Sequence, residues 1–260
     1  MTAREEVDVG ERGAVLVTGA SRRAGIGAEV VRALAAGGWR VFTTWWAPYD
    51  ASMPWGAEAG EVDELLAATG ATGVEADLAD PAAPAAVFDA AEAAVGAVRA
   101  LVNVHTYDPG GGLEDIDGAA LDRHLAINVR GTYLLCREFA SRYRPEHGPG
   151  RIVSFLSGPP LIGSVGYATS KGAVHWMTMS IAGELAPRGI TVNAINPGPT
   201  DTGWMDQALH DRLARTNPIG RTSRPRDAAN LVAFLLSDDG GWLTGQFLQS
   251  DGGFSRLAGP

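Results

Sequence analysis

The sequence predicts a single α/β domain built on a doubly wound parallel sheet. Short apolar runs, typical of buried strands, alternate with longer segments whose apolar residues recur at the three-to-four-residue spacing of a helix face. Such alternation places helices on both faces of a parallel sheet. With 260 residues and 45% hydrophobic content, the chain can bury one sizeable core.

The elements follow in regular order. An apolar run at 13–18 ends in glycine and indicates the first strand; a helix with apolar residues at helical spacing then closes on a glycine pair. Later strands are predicted at about 40–45, 73–76, 99–104, 151–156, 190–195 and 246–249. Helices are predicted at about 25–37, 60–69, 82–95, 118–143, 167–186 and 226–237, with a long loop at 45–60. The polar residues 1–12 predict a flexible tail, so the domain spans 13–260.

The composition excludes several functions. A net charge of −9 argues against a nucleic-acid-binding face and against attraction to anionic lipid. The single Cys136 rules out a disulfide framework and a multi-cysteine zinc site, so no metal is expected. Neither a signal-peptide core nor a run of ~20 apolar residues is present, and we expect a cytoplasmic protein without a membrane partner.

A glycine-rich loop, Thr18-Gly19-Ala20-Ser21-Arg22-Arg23-Ala24-Gly25-Ile26-Gly27, joins the first strand to the first helix. Glycines permit a tight turn, and the helix N-terminus offers free N–H groups to a pyrophosphate. A purely structural turn is the alternative, but the position between strand and helix favours a dinucleotide site.

The second strand indicates which dinucleotide would bind. An NAD site usually has Asp or Glu at the end of this strand, whereas here the first acid is Asp50. Arg22 and Arg23 lie in the glycine loop, where a guanidinium can pair with a 2′-phosphate. We therefore predict NADP or NADPH as the cofactor; solvated arginines are the alternative.

One lysine stands among twenty arginines, and this Lys171 lies four residues after Tyr167. Helix positions i and i+4 share a face, so the phenol and the ammonium can approach each other. A nearby positive charge should lower the pKa of Tyr167 from its usual value of about 10 and suit it to acid–base catalysis. A solvated lysine on an ordinary amphipathic helix is the alternative.

The glycine loop and this pair together resemble the short-chain dehydrogenase/reductase family over about residues 13–254. The resemblance implies a Rossmann-type fold and a Ser–Tyr–Lys–Asn tetrad, here Ser157, Tyr167, Lys171 and Asn128. It also implies a cofactor-binding set of Gly19, Ser21, Arg22, Arg23, Gly25, Ile26, Gly27, Asp77, Leu78, Asn103, Lys171, Pro197, Gly198, Thr200 and Thr202.

Four departures from the family pattern stand out. The glycine loop is two residues longer than usual, and the fourth-strand motif keeps Asn103 but loses the Asn, Ala and Gly that follow it. The shorter serine-to-tyrosine gap makes Ser154 a rival of Ser157, which we prefer because it follows the strand end, where ligands bind. The fourth departure is the long segment 45–60, which together with the extended glycine loop and residues 198–205 resembles a 3-oxoacyl-carrier-protein-reductase-like subgroup.

The resemblance implies a mechanism in which Tyr167 donates a proton to a carbonyl oxygen and Lys171 binds the nicotinamide ribose. Ser157 would hydrogen-bond the oxyanion. Asn128 would hold a water that relays protons to Lys171. We therefore predict a ketoreductase that uses NADPH, with imine reduction and a non-catalytic NADP-binding sensor as alternatives.

Loops at about 105–116, 158–166 and 199–222 are expected to line the substrate pocket. Their predicted substrate-binding residues are His105, Pro159, Trp204 and Met205. This bulky, apolar and aromatic lining fits a hydrophobic or aromatic ketone, while a packing role for His105 stays open. The helices at 118–143 and 167–186 resemble the family's tetramer interface, so we expect a homo-oligomer, either a tetramer or a dimer.

Overall fold

Parallel strands form one sheet at the centre of the protein. A computed structural model describes residues 12–158 and 161–257, and within them the seven strands are β1 Ala14–Thr18, β2 Arg40–Trp45, β3 Thr72–Glu75, β4 Val98–Asn103, β5 Gly150–Phe155, β6 Ile190–Asn196 and β7 Phe247–Gln249. They are ordered β3-β2-β1-β4-β5-β6-β7, with every neighbouring pair parallel. The order reverses between β1 and β4, which opens a cleft at the carboxyl ends of these strands. The predicted doubly wound sheet is confirmed.

Helices cover both faces of the sheet. In the same part of the chain they are α1 Ile26–Ala36, α2 Ala47–Ser52, α3 Glu61–Thr69, α4 Ala83–Val95, α5 Gly118–His124, α6 Thr132–Arg142, α7 Val165–Leu185, α8 Gln207–Thr216, α9 Pro225–Leu236 and α10 Phe254–Leu257. The predicted flexible tail lies outside the described residues apart from Arg12, whose N–H donates to the Gly38 carbonyl. No described helix is both long enough and apolar enough to span a membrane.

The strand pleat divides the core into two layers. Val15 and Val17 of β1 pack with α1 and α9 on one face, whereas Leu16 between them packs with α4, α6 and α7 on the other. All three side chains are completely buried. Because alternate residues point to opposite faces, continuous apolar strands are what a sheet covered on both sides requires.

Two segments differ from the sequence prediction. The predicted loop at 45–60 contains α2, where Pro48 occupies the first turn and its missing N–H costs nothing. The predicted single helix at 118–143 changes winding in the middle, because Leu125–Gly131 forms a π-helix between α5 and α6. π-Helical turns often occur at functional sites, and this one contains Asn128.

Candidate active site

The glycine loop lies at the split between β1 and β4. Gly19 has a φ of +80°, and a Cβ there would lie 2.6 Å from the backbone of His105. A Cβ at Gly27 would lie 2.1 Å from the Gly19 carbonyl oxygen, so α1 begins directly against the loop. Gly25 precedes α1 without a side-chain cap, which leaves N–H groups of the first turn, including that of Ile26, facing the cleft.

The two additional loop residues form a closed turn. The Gly25 N–H donates to the Arg22 carbonyl over 2.9 Å, and Arg32 of α1 donates to the Arg23 carbonyl over 3.2 Å. Ser21 accepts a 3.4 Å hydrogen bond from the Trp46 N–H. The extension is therefore tied to α1 and to the segment after β2.

The two predicted phosphate-binding arginines point in different directions. Arg22 donates to the Thr202 carbonyl over 2.7 Å and stacks on Trp55, 4.7 Å from the ring centroid. Arg23 pairs with Glu64 of α3 over 2.7 Å. The structure thus brings only Arg22 towards the cleft and the loop after β6.

Three further predicted cofactor-binding residues lie after β3 and at the end of β4. Asp77 accepts the Ala79 N–H over 2.9 Å, and Leu78 is buried in the core. Asn103 is also buried; its amide nitrogen donates to Ser154 over 3.1 Å, whereas its Oδ1 has no hydrogen-bond partner among the described residues.

His105 is bonded through both ring nitrogens. Its Nδ1 lies 2.6 Å from the Thr18 hydroxyl and its Nε2 lies 3.2 Å from the Thr132 hydroxyl. Because Thr132 donates its own proton to the Asn128 carbonyl, the network assigns the proton of His105 to Nε2. Burial is the main cause that lowers the pKa of His105 to about 3. The geometry therefore favours the packing role, since neither nitrogen is free for substrate.

Tyr167 and Lys171 lie on one face of α7, with the Lys171 ammonium 5.6 Å from the Tyr167 ring centroid. Lys171 is buried and donates to the Phe155 carbonyl over 2.9 Å. Burial lowers the pKa of Lys171 to about 8, which the Asp108 carboxylate partly opposes. Burial also raises the pKa of Tyr167 to about 12. The expected lowering of the Tyr167 pKa was therefore wrong, because desolvation of the phenol is the largest effect on it.

Ser157 and Ser154 have different surroundings. Ser154 lies within β5, is buried and accepts the hydrogen bond of Asn103. Ser157 follows the strand, and its hydroxyl lies beside the phenol of Tyr167, as does the hydroxyl of Thr106. Both hydroxyls favour the phenolate but do not offset burial. The geometry favours Ser157 over Ser154 as the serine of the tetrad.

Asn128 is buried in the π-helix and is fully hydrogen-bonded. Its Oδ1 accepts the Tyr107 N–H over 2.7 Å, and its Nδ2 donates to the Tyr107 carbonyl and to Ser170, each over 2.9 Å. The side chain therefore holds the loop after β4, and its polar atoms are already engaged within the protein rather than directed at Lys171.

The loop after β6 is held by hydrogen bonds of its own. Gly198 has a φ of +67°, and a Cβ there would lie 2.4 Å from the Cβ of Asp251. The buried Thr200 donates to the carbonyl groups of Pro197 and Gly198, and its own carbonyl accepts the Trp204 indole N–H over 3.1 Å.

Two predicted substrate loops are joined by backbone hydrogen bonds. The Gly111 N–H donates to Gly163 over 2.8 Å, and the Val165 N–H donates to Gly111 over 3.1 Å. Trp204 is about half exposed and Met205 partly exposed in the third loop. Pro159 lies outside the described residues.

A model of the family described as enoyl-(acyl carrier protein) reductase matches residues 19–255 of this chain. The uncharacterised oxidoreductase YjdA of Bacillus subtilis is 38% identical over 93% of this chain and 96% of its own. The chain belongs to the short-chain dehydrogenase/reductase family. A solved short-chain dehydrogenase/reductase of Serratia marcescens superimposes with a TM-score of 0.82 at 33% identity, covering 94% of this chain and 98% of that one. A Burkholderia cenocepacia member solved in complex with NADP gives 0.80 at 33% identity, covering 93% and 97%.

The cleft of this short-chain dehydrogenase/reductase fits a nicotinamide dinucleotide. The glycine loop approaches α1 so closely that no side chain fits between them. The backbone N–H groups in the first turn of α1 are free for phosphate oxygens. Asn103 Oδ1 and Asn196 Nδ2 are buried without a partner in the described chain, and both residues end strands at this edge. Buried polar atoms need partners, which hydroxyl and amide groups of a dinucleotide can supply.

Sequence reasoning did not identify three residues near the phenol of this family member. The Thr106 hydroxyl lies beside the Tyr167 phenol, and the Asp108 carboxylate raises the pKa of both Tyr167 and Lys171. Tyr49 of α2 bonds the backbone of Asp108. Thr106 stands in the altered fourth-strand motif, so the departure from the family pattern was a usable signal for it. No local sequence pattern indicated Tyr49, because its position near the site depends on how residues 45–60 fold.

Proposed function

We propose that this protein is an NADPH-dependent reductase that converts a ketone of a fairly hydrophobic or aromatic small molecule to an alcohol. The observation that carries this proposal is the convergence of Tyr167, Ser157, Thr106 and Lys171 at the carboxyl edge of the sheet. It unites a proton donor, two hydroxyl donors and a cation beside the split between β1 and β4.

Tyr167 is suited to be the proton donor. Since burial raises its pKa to about 12, the phenol keeps its proton at neutral pH and can give it to an oxygen on which negative charge develops. Ser157 and Thr106 can hydrogen-bond the same oxygen and stabilise that charge. Bound NADPH would supply the hydride for the carbonyl carbon.

Arg22 supports NADPH over NADH. Its guanidinium lies at the glycine loop, while β2 ends in Trp45 without an acid for a ribose diol. Glu75, at the end of the adjacent β3, already accepts the Ala47 N–H over 2.9 Å. A cation at the glycine loop, together with a β2 that does not end in an acid, favours a 2′-phosphate.

Exposed apolar side chains on the substrate loops support a hydrophobic substrate. Leu113 is 80% exposed and Ile162 is 97% exposed, on the two loops that Gly111 joins, and Trp204 is 48% exposed on the third. Exposed apolar side chains grouped around a cleft are typical of a binding surface for an apolar ligand.

Replacing Tyr167 by Phe tests the proposal. With NADPH and a panel of aromatic ketones, we expect Tyr167→Phe to lower kcat by at least ~10², the scale of a lost general acid, and to leave the Kd for NADPH nearly unchanged. The matched control is Tyr133→Phe, which removes a phenol hydroxyl from the half-exposed outer face of α6. Full turnover by Tyr167→Phe would refute the role of this residue. If the wild-type protein binds NADPH but reduces no ketone or imine, the sensor hypothesis replaces the enzyme.

A further inference from the structure

Two consecutive residues after β4, Tyr107 and Asp108, each have both their backbone N–H and their backbone C=O bound by one side chain. Asn128 of the π-helix does this for Tyr107. Tyr49 of α2 does it for Asp108: its hydroxyl donates to the Asp108 carbonyl over 3.2 Å and accepts the Asp108 N–H over 3.1 Å. The loop is thus fixed from two sides, by an asparagine of the tetrad and by a residue of the 45–60 segment.

The Tyr49 phenol is built to stay in place. Its ring packs against Trp55 and Tyr107, with centroids 6.4 Å and 5.4 Å away. Burial raises the pKa of Tyr49 to about 12, so its hydroxyl can donate over the whole physiological range. The Trp55 indole is in turn bonded over 3.0 Å to the buried Asp50.

Helix α2 itself is anchored to the sheet and the glycine loop. The Ala47 N–H at its start donates to Glu75 of β3, and the preceding Trp46 N–H donates to Ser21. Tyr49 is therefore presented from a supported element, although it comes from a segment with two prolines.

The loop that Tyr49 holds carries groups that face the phenol of Tyr167. The Thr106 hydroxyl lies beside this phenol and lowers its pKa, and the Asp108 carboxylate, fixed by the Gly110 N–H over 3.0 Å, raises the pKa of Tyr167 and of Lys171. The other groups facing Tyr167 are Ser157 after β5, Tyr49 itself and Lys171 one turn along α7. Asp108 is the negative group in this set.

We propose that Tyr49 is a positioning residue of the reaction site, whose hydroxyl holds the backbone N–H and C=O of Asp108 and thereby fixes the Asp108 carboxylate and the Thr106 hydroxyl against Tyr167. The proposal rests on the proposed carbonyl reduction, because its kinetic consequence needs turnover. It assigns a role to the 45–60 segment, which otherwise lies apart from the tetrad.

Tyr49→Phe tests this role because it keeps the ring and removes only the hydroxyl. We expect kcat for ketone reduction to fall about fivefold to tenfold, the scale of one lost hydrogen bond, with KM for ketone and NADPH changed less than about twofold. The alkaline limb of the kcat profile should move to lower pH, because a loosened Asp108 carboxylate raises the pKa of Tyr167 and Lys171 less. In the protein without ligands, the Asp108 amide should exchange with deuterium at least about tenfold faster.

Asp108→Asn separates the effect of the Asp108 charge from the effect of the Tyr49 hydrogen bonds to the backbone. It should shift the alkaline limb in the same direction and leave the backbone amide at position 108 protected, since the Tyr49 hydroxyl still bonds the backbone N–H and C=O of this residue. Unchanged exchange and an unchanged pH profile in Tyr49→Phe would overturn the proposal, as would a rise in the KM for NADPH alone. A wild-type protein that reduces no carbonyl would refute the proposed function, while the exchange of the Asp108 amide would still decide whether Tyr49 holds the loop.

Discussion

At the scale of single residues, position relative to the end of a strand decides what a hydroxyl can do. Ser154 sits inside β5 and accepts the amide of the buried Asn103. Ser157, three residues later, is past the strand, and its hydroxyl lies beside the phenol of Tyr167. One serine therefore serves the fold and the other faces the reacting groups.

Alanine substitution should separate these two serines. Ser157→Ala is expected to lower kcat by ~10² or more, because a donor to the developing oxyanion is lost, with little change in stability. Ser154→Ala should leave kcat within about threefold and reduce the free energy of unfolding by about 1–2 kcal/mol, because the amide of Asn103 loses its acceptor. Steady-state kinetics and urea unfolding of both variants check this, and the reverse pattern would make Ser154 the catalytic serine.

For these single residues, the sequence predicted positions better than it predicted pKa values. The spacing of Tyr167 and Lys171 correctly placed both on one face of α7. The order of strand and loop favoured Ser157 over Ser154 as the catalytic serine, which stays a prediction, and the hydroxyl of Ser157 does lie beside the phenol. The predicted direction of the Tyr167 pKa was wrong, because this pKa depends on how deeply the folded chain buries the phenol and on the charge of the Asp108 carboxylate, and the local sequence shows neither.

At the scale of elements, regular strands and amphipathic helices were predictable and α2 was not. Six residues including Pro48 carry too little periodicity to indicate a helix, and such a short helix is marginal on its own. Its anchors are Glu75, Ser21 and the Asp108 backbone, all distant in sequence. The π-winding around Asn128 was equally hidden, because α- and π-helical turns share the same apolar pattern over so short a stretch.

The glycine loop carries a prediction about cofactor choice. Arg22→Ala should raise the Kd for NADPH about tenfold to a hundredfold and the Kd for NADH less than about threefold. Only NADPH carries a 2′-phosphate with which the guanidinium can pair. Arg23→Ala is the matched control: its partner is Glu64, so both constants should change little. Quenching of tryptophan fluorescence measures both. An equal loss for the two dinucleotides would mean that Arg22 acts by supporting the loop at Thr202.

At the scale of the whole molecule, the free energy of unfolding depends on pH through buried groups whose pKa differs between the folded and the unfolded chain. Burial lowers the pKa of Lys171 from 10.5 to about 8, so between these values the unfolded chain binds a proton that the folded protein has released. The free energy of unfolding therefore rises with pH from about 8. The Cys136 thiol, whose pKa burial raises from 9.0 to about 12, acts in the opposite direction above pH 9.

Comparing Lys171→Met with the wild type isolates the lysine contribution. The variant should unfold with a free energy about 1–3 kcal/mol higher at pH 7, because a buried ammonium is removed. This gain should shrink at pH 9.5, where the folded wild type holds a neutral amine. Urea unfolding at both pH values checks the prediction, and an equal gain at both would contradict it. The variant should be inactive, so stability and turnover would change in opposite directions.

Because the chain has a single lysine and this lysine is buried, proteolysis at that residue can report local unfolding of α7. An endoproteinase specific for lysine has one target bond in this sequence, Lys171–Gly172, which lies inside α7. Cleavage needs an extended strand in the protease, so the bond is cut only when this helix unfolds. When refolding outpaces cutting, the rate at which intact chain disappears measures the equilibrium between closed and open forms of the helix that carries Tyr167. Any ligand that stabilises the site would be detected as protection of one peptide bond, without a substrate or a label.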